Sequence, residues 1–470
     1  AIARPCIVNS VKRASARRRP ATQEIFALPL SAWRFRTSAQ RTLSTACAFV
    51  AGESAPEAAA TAIVDKLGEQ LSHATPDFLV FFAKGYGNRF QGIGEVLQRR
   101  LGGVVVGCSS EGGVLGLQGE QHKDATFAVS ALAIAMPGMK VFPFYTRDFD
   151  GLPDLRRGTT WVKAMQADSS LSVFACACLE PGQDLHPWLT GFDRIMLSAL
   201  ASSGKLSSLP VRLPTICGGI TVGREVYVDG SVYSGGGFGA VFQAPPGGSI
   251  DMVMSPGTQP FGPWLRISSV DTATNLVTSI DGEVPVKVLG PLIGAPDGTT
   301  PRVGDIMVGV FVPSLPHLQT RDQYQKSTVV AGAALQGRPS CLCRPLLSFD
   351  KEGNALLAPL SEGMPYAVGM RFQLHRFSEE AAADDLISRV EQNLENHEQT
   401  RPDAVLVSAC GTRGLEEDAQ SPAQSSLAEA FPGIPLAGFF GNGQIGPVGA
   451  RTYVFERGMS CLLFRGPSAE

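Results

Sequence analysis

The sequence has little charge, few aromatic residues and no long apolar run. Charged residues make up 18% and aromatic residues 8% of its 470 positions. No stretch approaches the roughly eighteen consecutive apolar residues of a membrane-spanning helix, so no membrane span is predicted. Hydrophobic residues nevertheless reach 44%, which is enough for a large buried core and excludes a disordered chain.

Metal-binding patterns are also missing. The six histidines form no HxH or HxxxH pair, and the ten cysteines lack the density of a disulfide scaffold. Cys176 and Cys178 form one CxC pair, and Cys341 and Cys343 another, but alternate positions of a strand share a face without any ligand. Because a zinc site requires four ligands, we interpret them as buried, reduced thiols and expect no metal and no cofactor.

Basic charge is concentrated at the N-terminus. Residues 1–43 contain nine Lys or Arg residues and a single acid, Glu24. The rest of the chain therefore has 31 basic and 42 acidic residues, and this acidic body excludes general binding to nucleic acid. The basic segment is rich in Arg, Ser and Ala, which is typical of a transit peptide.

We expect residues 1–50 to be a transit peptide or a disordered leader. Arg41-Thr42-Leu43-Ser44 resembles a mitochondrial processing site, so the mitochondrion is the expected destination and the plastid the alternative. A disordered basic tail that stays attached is the alternative to a targeting segment. A nuclear signal at 17–19 is less favoured, because acids are missing from the whole segment rather than from one short cluster.

Three segments share one pattern: an apolar run, a polar loop, a helix, and a second apolar run that ends in glycine or just before one. Because a helix joins the two runs of each segment, the runs are predicted to be neighbouring strands. The segments are 76–108 with a helix near 89–101, 171–219 with a helix near 187–201, and 402–440 with a helix near 422–431.

The first and third segments are the most alike, since each follows an amphipathic helix, at 56–73 and at 378–397. Two related halves are therefore predicted, in an α+β fold whose mixed sheets are flanked by helices. Between them, Asp229-Gly230 predicts a hairpin and residues 307–312 predict a strand.

Glycine-rich segments follow predicted strands at two places. The first, Gly107-Cys108-Ser109-Ser110-Glu111-Gly112-Gly113, exposes backbone N–H groups that suit an anion, although a tight turn needs no ligand. A phosphate loop is not predicted there, because neither GxxxxGK[ST] nor GxGxxG occurs between 107 and 116. The second lies at 438–446.

Residues 107–113 resemble the signature of the N-terminal FIST domain, and residues 438–447 that of its C-terminal partner domain. Residues 407–414 resemble the family's Ser-Cys…Arg-Gly segment, although Cys-Gly-Thr-Arg-Gly at 410–414 differs from the common spelling. Gln444 stands where the family often has Glu. The resemblance implies a FIST N-terminal domain at 51–255 and a FIST C-terminal domain at 256–470.

FIST proteins are regarded as sensory modules that bind small ligands such as amino acids. The resemblance thus implies a non-enzymatic sensory or adaptor protein that binds an anionic or amino-acid-like ligand in the cleft between its halves. Arg413 is suited to bidentate capture of a carboxylate, and a surface ion pair is the alternative interpretation. The expected ligand-binding residues are Gly107, Cys108, Ser109, Ser110, Glu111, Gly112, Gly113, Cys410, Arg413, Gly414, Gly438, Asn442, Gln444 and Gly446.

Two other functions stay open. One is a protein-interaction subunit of an organellar assembly, or an F-box-like ubiquitin-ligase substrate adaptor, although no F-box is evident after Leu28-Pro29-Leu30. The other is a cryptic hydrolase or transferase with Cys108 or Cys410 as nucleophile. His122 lies near Cys108 in sequence, with Asp124 beside it, as a candidate base and orienting acid.

The leader generates the first testable prediction. Residues 1–50 fused to a fluorescent reporter should direct it to mitochondria, with cleavage near Ser44, because a cationic segment is drawn towards an energised membrane. Microscopy and N-terminal sequencing of the reporter measure both outcomes. A diffuse cytosolic or nuclear signal would refute targeting.

Overall fold

The computed structural model describes residues 43–72, 74–117, 126–149, 171–180, 183–202, 215–294, 305–311, 341–360, 365–414, 422–448 and 451–467. Helices and strands are numbered along the chain. The helices are α1 (Pro56–Gln70), α2 (Phe90–Leu101), α3 (His186–Ser202), α4 (Pro285–Ile293), α5 (Glu379–Asn396) and α6 (Pro422–Ala430).

The strands of the described residues form three open sheets and one closed barrel. In spatial order, sheet 1 contains β1 (Ser44–Ala51), β5 (Ala128–Ala135), β2 (Phe78–Lys84), β3 (Val104–Ser109), β9 (Glu225–Val228) and β10 (Ser231–Ser234). Sheet 2 contains β22 (Arg451–Phe455), β21 (Gly443–Val448), β8 (Thr215–Thr221), β7 (Leu171–Cys178), β11 (Gly236–Gln243) and β6 (Lys140–Thr146). Sheet 3 contains β12 (Ser249–Ser255), β23 (Met459–Arg465), β19 (Ala404–Cys410), β20 (Leu436–Gly441) and β4 (Val114–Gly116). The barrel contains β13 (Thr258–Asp271), β14 (Leu276–Ile280), β17 (Ala355–Leu357), β16 (Cys341–Phe349), β15 (Ile306–Phe311) and β18 (Arg371–Phe377).

The three open sheets have the same centre. In each, a helix lies in the connection between the two strands of a parallel pair: α2 between β2 and β3, α3 between β7 and β8, and α6 between β19 and β20. An antiparallel strand flanks the first member of each pair, namely β5, β11 and β23. The three predicted strand–helix–strand segments are confirmed, and β2 and β19 hold matching positions. Their origin by duplication stays a prediction.

Each sheet takes its next strand from a different segment of the chain. β4 follows β3 but pairs with β20, β9 follows β8 but pairs with β3, and β21 follows β20 but pairs with β8. This exchange binds every sheet to the other two. Strands on both sides of the predicted boundary at 255/256 therefore share sheets 2 and 3, and the boundary itself stays a prediction.

The inner faces of the three sheets enclose one apolar core. Phe82 of sheet 1 packs against Phe174 of sheet 2 and Phe439 of sheet 3, with ring centroids 6.4 and 5.0 Å apart. Further along, Phe242 of sheet 2 meets Phe78 and Phe464 at 4.8 and 5.4 Å. The helices cover the outer faces, as α1 and α2 do over sheet 1. No helix among the residues described is long and apolar enough to cross a membrane.

Local chemistry explains the helix and hairpin boundaries. Ser378 caps α5, because its Oγ accepts a hydrogen bond from the N–H of Ala381 at 3.1 Å. Pro56 opens α1, where its missing N–H costs nothing. Asp229 and Gly230 both have positive φ, at 44° and 89°, and they form the predicted hairpin between β9 and β10.

The barrel has its own apolar core and one buried histidine. His375 on β18 lies with its Nδ1 3.1 Å from Thr258 Oγ1 on β13. The ring packs where Gly309 on β15 leaves room, because a Cβ there would overlap it. Burial lowers the pKa of His375 from 6.5 to about 4, against an opposing effect of Asp385.

The low pKa of His375 predicts acid sensitivity. The unfolded state binds this proton near pH 6.5 and the folded state only near pH 4. The contribution of neutral His375 to the free energy of unfolding is therefore complete above pH 6.5 and is lost as the pH falls to 4. Relative to His375→Asn, the wild type should lose up to roughly 3 kcal/mol of unfolding free energy over that interval. Urea titrations at several pH values measure it, and parallel profiles of the two proteins would contradict the prediction.

Candidate functional site

Three turns interlock where the parallel strand pairs end. Ser110 Oγ donates to Phe440 O at 3.0 Å, Thr221 Oγ1 donates to Ser109 O at 2.5 Å, and the Asn442 N–H donates to Ile220 O at 2.9 Å. Each turn thus bonds to the next, and the three bonds close a cycle. We call residues 109–113, 220–223 and 440–442 the turn ring.

Close backbone approach within the turn ring requires glycine. A Cβ on Gly112 would lie 2.5 Å from Phe440 O, and one on Gly441 would lie closer still to Ile220 O. The turn at 107–113 therefore meets the turn at 438–446. The third turn, at 220–223, is a functional candidate that sequence reasoning missed, although the repeat placed Gly218 and Gly219 at the matching position.

Three other glycines of the predicted site leave room for neighbouring groups. Gly107 makes room for the Phe81 ring, Gly438 for the backbone of Val407, and Gly446 for Met254 Sδ. These three glycines serve packing between neighbours.

Acidic groups also lie at this first turn. Ser109 Oγ donates to Glu225 Oε2 at 2.6 Å and accepts from the Glu225 N–H at 2.9 Å. Glu111 is exposed, and its Oε1 accepts from the Gly85 N–H at 3.4 Å. The Ser109 hydroxyl thus both donates and accepts a hydrogen bond with Glu225, whereas the Glu111 carboxylate is exposed to solvent.

Two buried polar side chains beside the ring lack hydrogen-bond partners among the described residues. Gln444, 0% exposed, has both amide atoms unpaired, and Ser408, 1% exposed, has its Oγ unpaired. Both lie against Gly219, because Gln444 is its register partner on β21 and a Cβ on Gly219 would overlap Ser408 Oγ. Buried polar groups are nearly always paired, so these atoms are candidate ligand contacts.

The neighbouring Ser460 shows what a satisfied hydroxyl looks like in this core. It is the register partner of Ser408. Its Oγ donates to Ile445 O at 3.0 Å, accepts from the Gly218 N–H at 3.3 Å and lies 2.9 Å from Cys217 Sγ. Ser460 joins sheets 2 and 3, whereas Ser408 and Gln444 keep hydrogen-bonding capacity free at the same junction.

Arg413 is buried rather than on a convex surface. It lies in a short 3₁₀ turn, Gly411–Gly414, directly after β19. Its Nη2 donates to Ala382 O on α5 at 2.7 Å, and its Nη1 has no hydrogen-bond partner within the described part of the chain. Burial lowers the pKa of the guanidinium, and Asp385 opposes that effect. Of the two terminal nitrogens of the guanidinium, Nη2 thus makes a hydrogen bond within the protein, and Nη1 is available to a ligand.

Both cysteines of the site are buried. Burial, reinforced by Cys178, raises the pKa of Cys108 well above its ordinary value. Cys410 is buried beside Gly441, and its Sγ accepts from Thr412 Oγ1 at 3.1 Å. A thiolate nucleophile at Cys108 is therefore disfavoured. His122 and Asp124 lie outside the described residues.

The described residues form neither a metal centre nor a dinucleotide-binding fingerprint. No group of three or more His, Cys, Asp or Glu within the described ranges is placed to hold a metal. Residues 441–446 spell GxGxxG, but a strand follows them instead of the helix that a pyrophosphate site requires. The site is suited to hydrogen bonding and to charge pairing.

Comparison with known families identifies the class of this domain. The model of the FIST N domain matches residues 77–283, which include the turns at 109–113 and 220–223 and most of sheets 1 and 2. This match supports membership of the chain in the FIST-domain family. FIST domains are generally sensory ligand-binding domains. The assignment of 256–470 to a FIST C-terminal domain stays a prediction.

Two relatives come from Mycobacterium tuberculosis: uncharacterized protein MT0656 of strain CDC 1551 / Oshkosh and uncharacterized protein Rv0628c of strain ATCC 25618 / H37Rv. Each is 25% identical over 262 residues, which cover 53% of this chain and 61% of the relative. The chain thus matches about three fifths of the length of these relatives. Neither carries an assigned function.

Among solved structures, the chain shows a weak likeness to a crystal structure of "cyanuic acid hydrolase" from A. caulinodans. The TM-score is 0.22 at 13% identity, and the match covers 62% of this chain and 90% of that one. At that TM-score the likeness carries no argument about fold or activity.

The turn ring generates a prediction about stability. Gly112→Ala should destabilise the protein by about 1–3 kcal/mol, because the new methyl group would overlap Phe440 O. Gly68→Ala on α1 is the matched control, since no atom lies within 4 Å of its Cβ position, and it should stabilise by up to ~1 kcal/mol. Urea unfolding measures both. Equal stability of the two variants would show that the turns do not meet as described.

Proposed function

We propose that the protein is a non-enzymatic sensory module that binds a small, amino-acid-like ligand at the turn ring. Family membership supports a ligand-binding role. The arrangement of the site supports this position for the ligand, because three glycine turns and two unpaired polar side chains meet at the end of one core.

The observation that carries this proposal is the side chain of Gln444. An amide offers two donors and an acceptor with two lone pairs, and here neither atom has a partner among the described residues. Leaving such a group unpaired costs about 1–3 kcal/mol, and a ligand that pairs with it recovers this cost. A ligand with both a donor and an acceptor, such as an α-amino acid, complements an amide.

Arg413 supports an anionic group on the ligand. Its Nη1 is buried and unpaired in the described structure, and the nearby Asp385 carboxylate is held by the Arg389 Nε–H at 2.8 Å and by Ser255 Oγ at 2.7 Å. The guanidinium therefore shares its counter-ion with a second arginine. A ligand carboxylate would supply a further negative charge to this pair of cations.

Replacing Gln444 by the apolar, similarly sized methionine tests the proposal. Gln444→Met should raise the unfolding free energy of the ligand-free protein by about 1–3 kcal/mol, because two unpaired polar atoms disappear from the core. It should also abolish the thermal shift that amino acids produce in the wild type. Thermal unfolding with a panel of amino acids and small carboxylates measures both effects.

Matched variants control the interpretation. Ser408→Ala removes an unpaired hydroxyl and should be neutral or stabilising, whereas Ser460→Ala removes a paired one and should destabilise by about 1 kcal/mol. Arg413→Lys keeps the charge but loses the fork, so it should weaken the ligand response while the fold remains. A destabilised Gln444→Met with an undiminished ligand shift would refute the site, as would a wild type that responds to no ligand.

Localisation is a separate proposal. The basic leader supports a mitochondrial site of action, with the plastid as alternative. The adaptor roles in an organellar assembly or a ubiquitin ligase stay predictions.

A further inference from the structure

A groove of about 460 Å³ runs between α5 and α6, outside sheet 3 and separate from the turn ring. Its floor is apolar and includes Ile387, Leu394, Phe431 and Ile434. Ile387, Leu394 and Ile434 are half-buried, so the floor is accessible. An accessible apolar floor between two helices is suited to binding a segment with large apolar side chains.

The rim of this groove is acidic. Glu391 and Glu395 on α5 and Glu429 on α6 are all exposed along it. Arg401 also lines the groove, so three carboxylates face one guanidinium and the rim is net negative. A basic segment therefore complements it.

The described chain begins next to this groove. Leu43 packs against Gly466, and two residues later Thr45 Oγ1 donates to Asp403 O at 2.9 Å. Pro402, which adjoins Asp403, lines the groove. The 42 residues before Leu43 carry nine basic residues and one acid, with Trp33 and Phe35 close to the point of entry.

We propose that this groove binds the chain's own N-terminal segment, residues 1–42. Trp33 and Phe35 supply apolar contacts to the floor, and Arg34 and Arg36 pair with the acidic rim. Ten residues separate Trp33 from Leu43, a reach of roughly 33 Å when extended, which is ample for a groove that adjoins the entry point.

Limited proteolysis of the full chain tests the contact from the side of the leader. Trypsin cleavage after Arg34 and Arg36 should be slow in the wild type. It should accelerate roughly threefold or more in the triple variant Glu391→Gln, Glu395→Gln, Glu429→Gln, because the rim loses its charge. A triple variant of exposed acids elsewhere, Glu57→Gln, Glu69→Gln, Glu352→Gln, should cleave like the wild type.

Hydrogen exchange tests the contact from the side of the groove. Trp33→Ala with Phe35→Ala should increase amide exchange at 387–395 and 429–434 and leave β19 unchanged, which shows that the fold is intact. Unchanged exchange in the groove would overturn the proposal. Protection that grows with protein concentration would assign the groove to a second copy of the chain and would also overturn it.

Discussion

The close meeting of three backbone turns is the constraint on which the rest of the structure depends. Each parallel strand pair ends at this point, and each turn donates a hydrogen bond to the next. Glycine at 112 and at 441 is required because a side chain would strike a carbonyl oxygen of the neighbouring turn. From there, each chain segment crosses into another sheet, so each sheet includes a strand that follows the parallel pair of a different sheet.

The same arrangement brings polar groups to the end of an apolar core. Further inside, the three sheets meet through aromatic rings, of which Phe82, Phe174 and Phe439 form one contact set. At the end, Ser110, Thr221 and Asn442 are satisfied by each other's turns, whereas Ser408 and Gln444 are not satisfied within the described structure. Unpaired polar groups in a core lower the stability of the protein. We propose that these groups form hydrogen bonds with a bound ligand.

Local pattern was sufficient to predict the three strand–helix–strand segments, because apolar runs and helical periodicity are short-range signals. It did not predict that β4, β9 and β21 join sheets outside their own segment, since pairing between distant strands has no local signature. The closed barrel was missed for the same reason, although individual strands such as β15 were predicted.

The candidate site was predictable in part. Residues of the glycine turns at 107–113 and 438–446 were both expected to bind the ligand, and the structure brings the two turns into contact. Residues 220–223 were not included, because Ile220, Thr221 and Val222 carry no glycine pattern of their own. Burial of Arg413 against α5 and the unpaired amide of Gln444 depend on tertiary packing, which no spacing rule reports.

A high-resolution crystal structure of the protein soaked with the amino acid that gives the largest thermal shift tests the central claim most directly. The account predicts ligand density within hydrogen-bond distance of Gln444 Oε1 and Nε2, with the ligand carboxylate directed towards Arg413. Ligand bound at a place that contacts neither the turn ring nor Gln444 would contradict it. So would an amide of Gln444 that is fully paired with protein atoms in the ligand-free crystal.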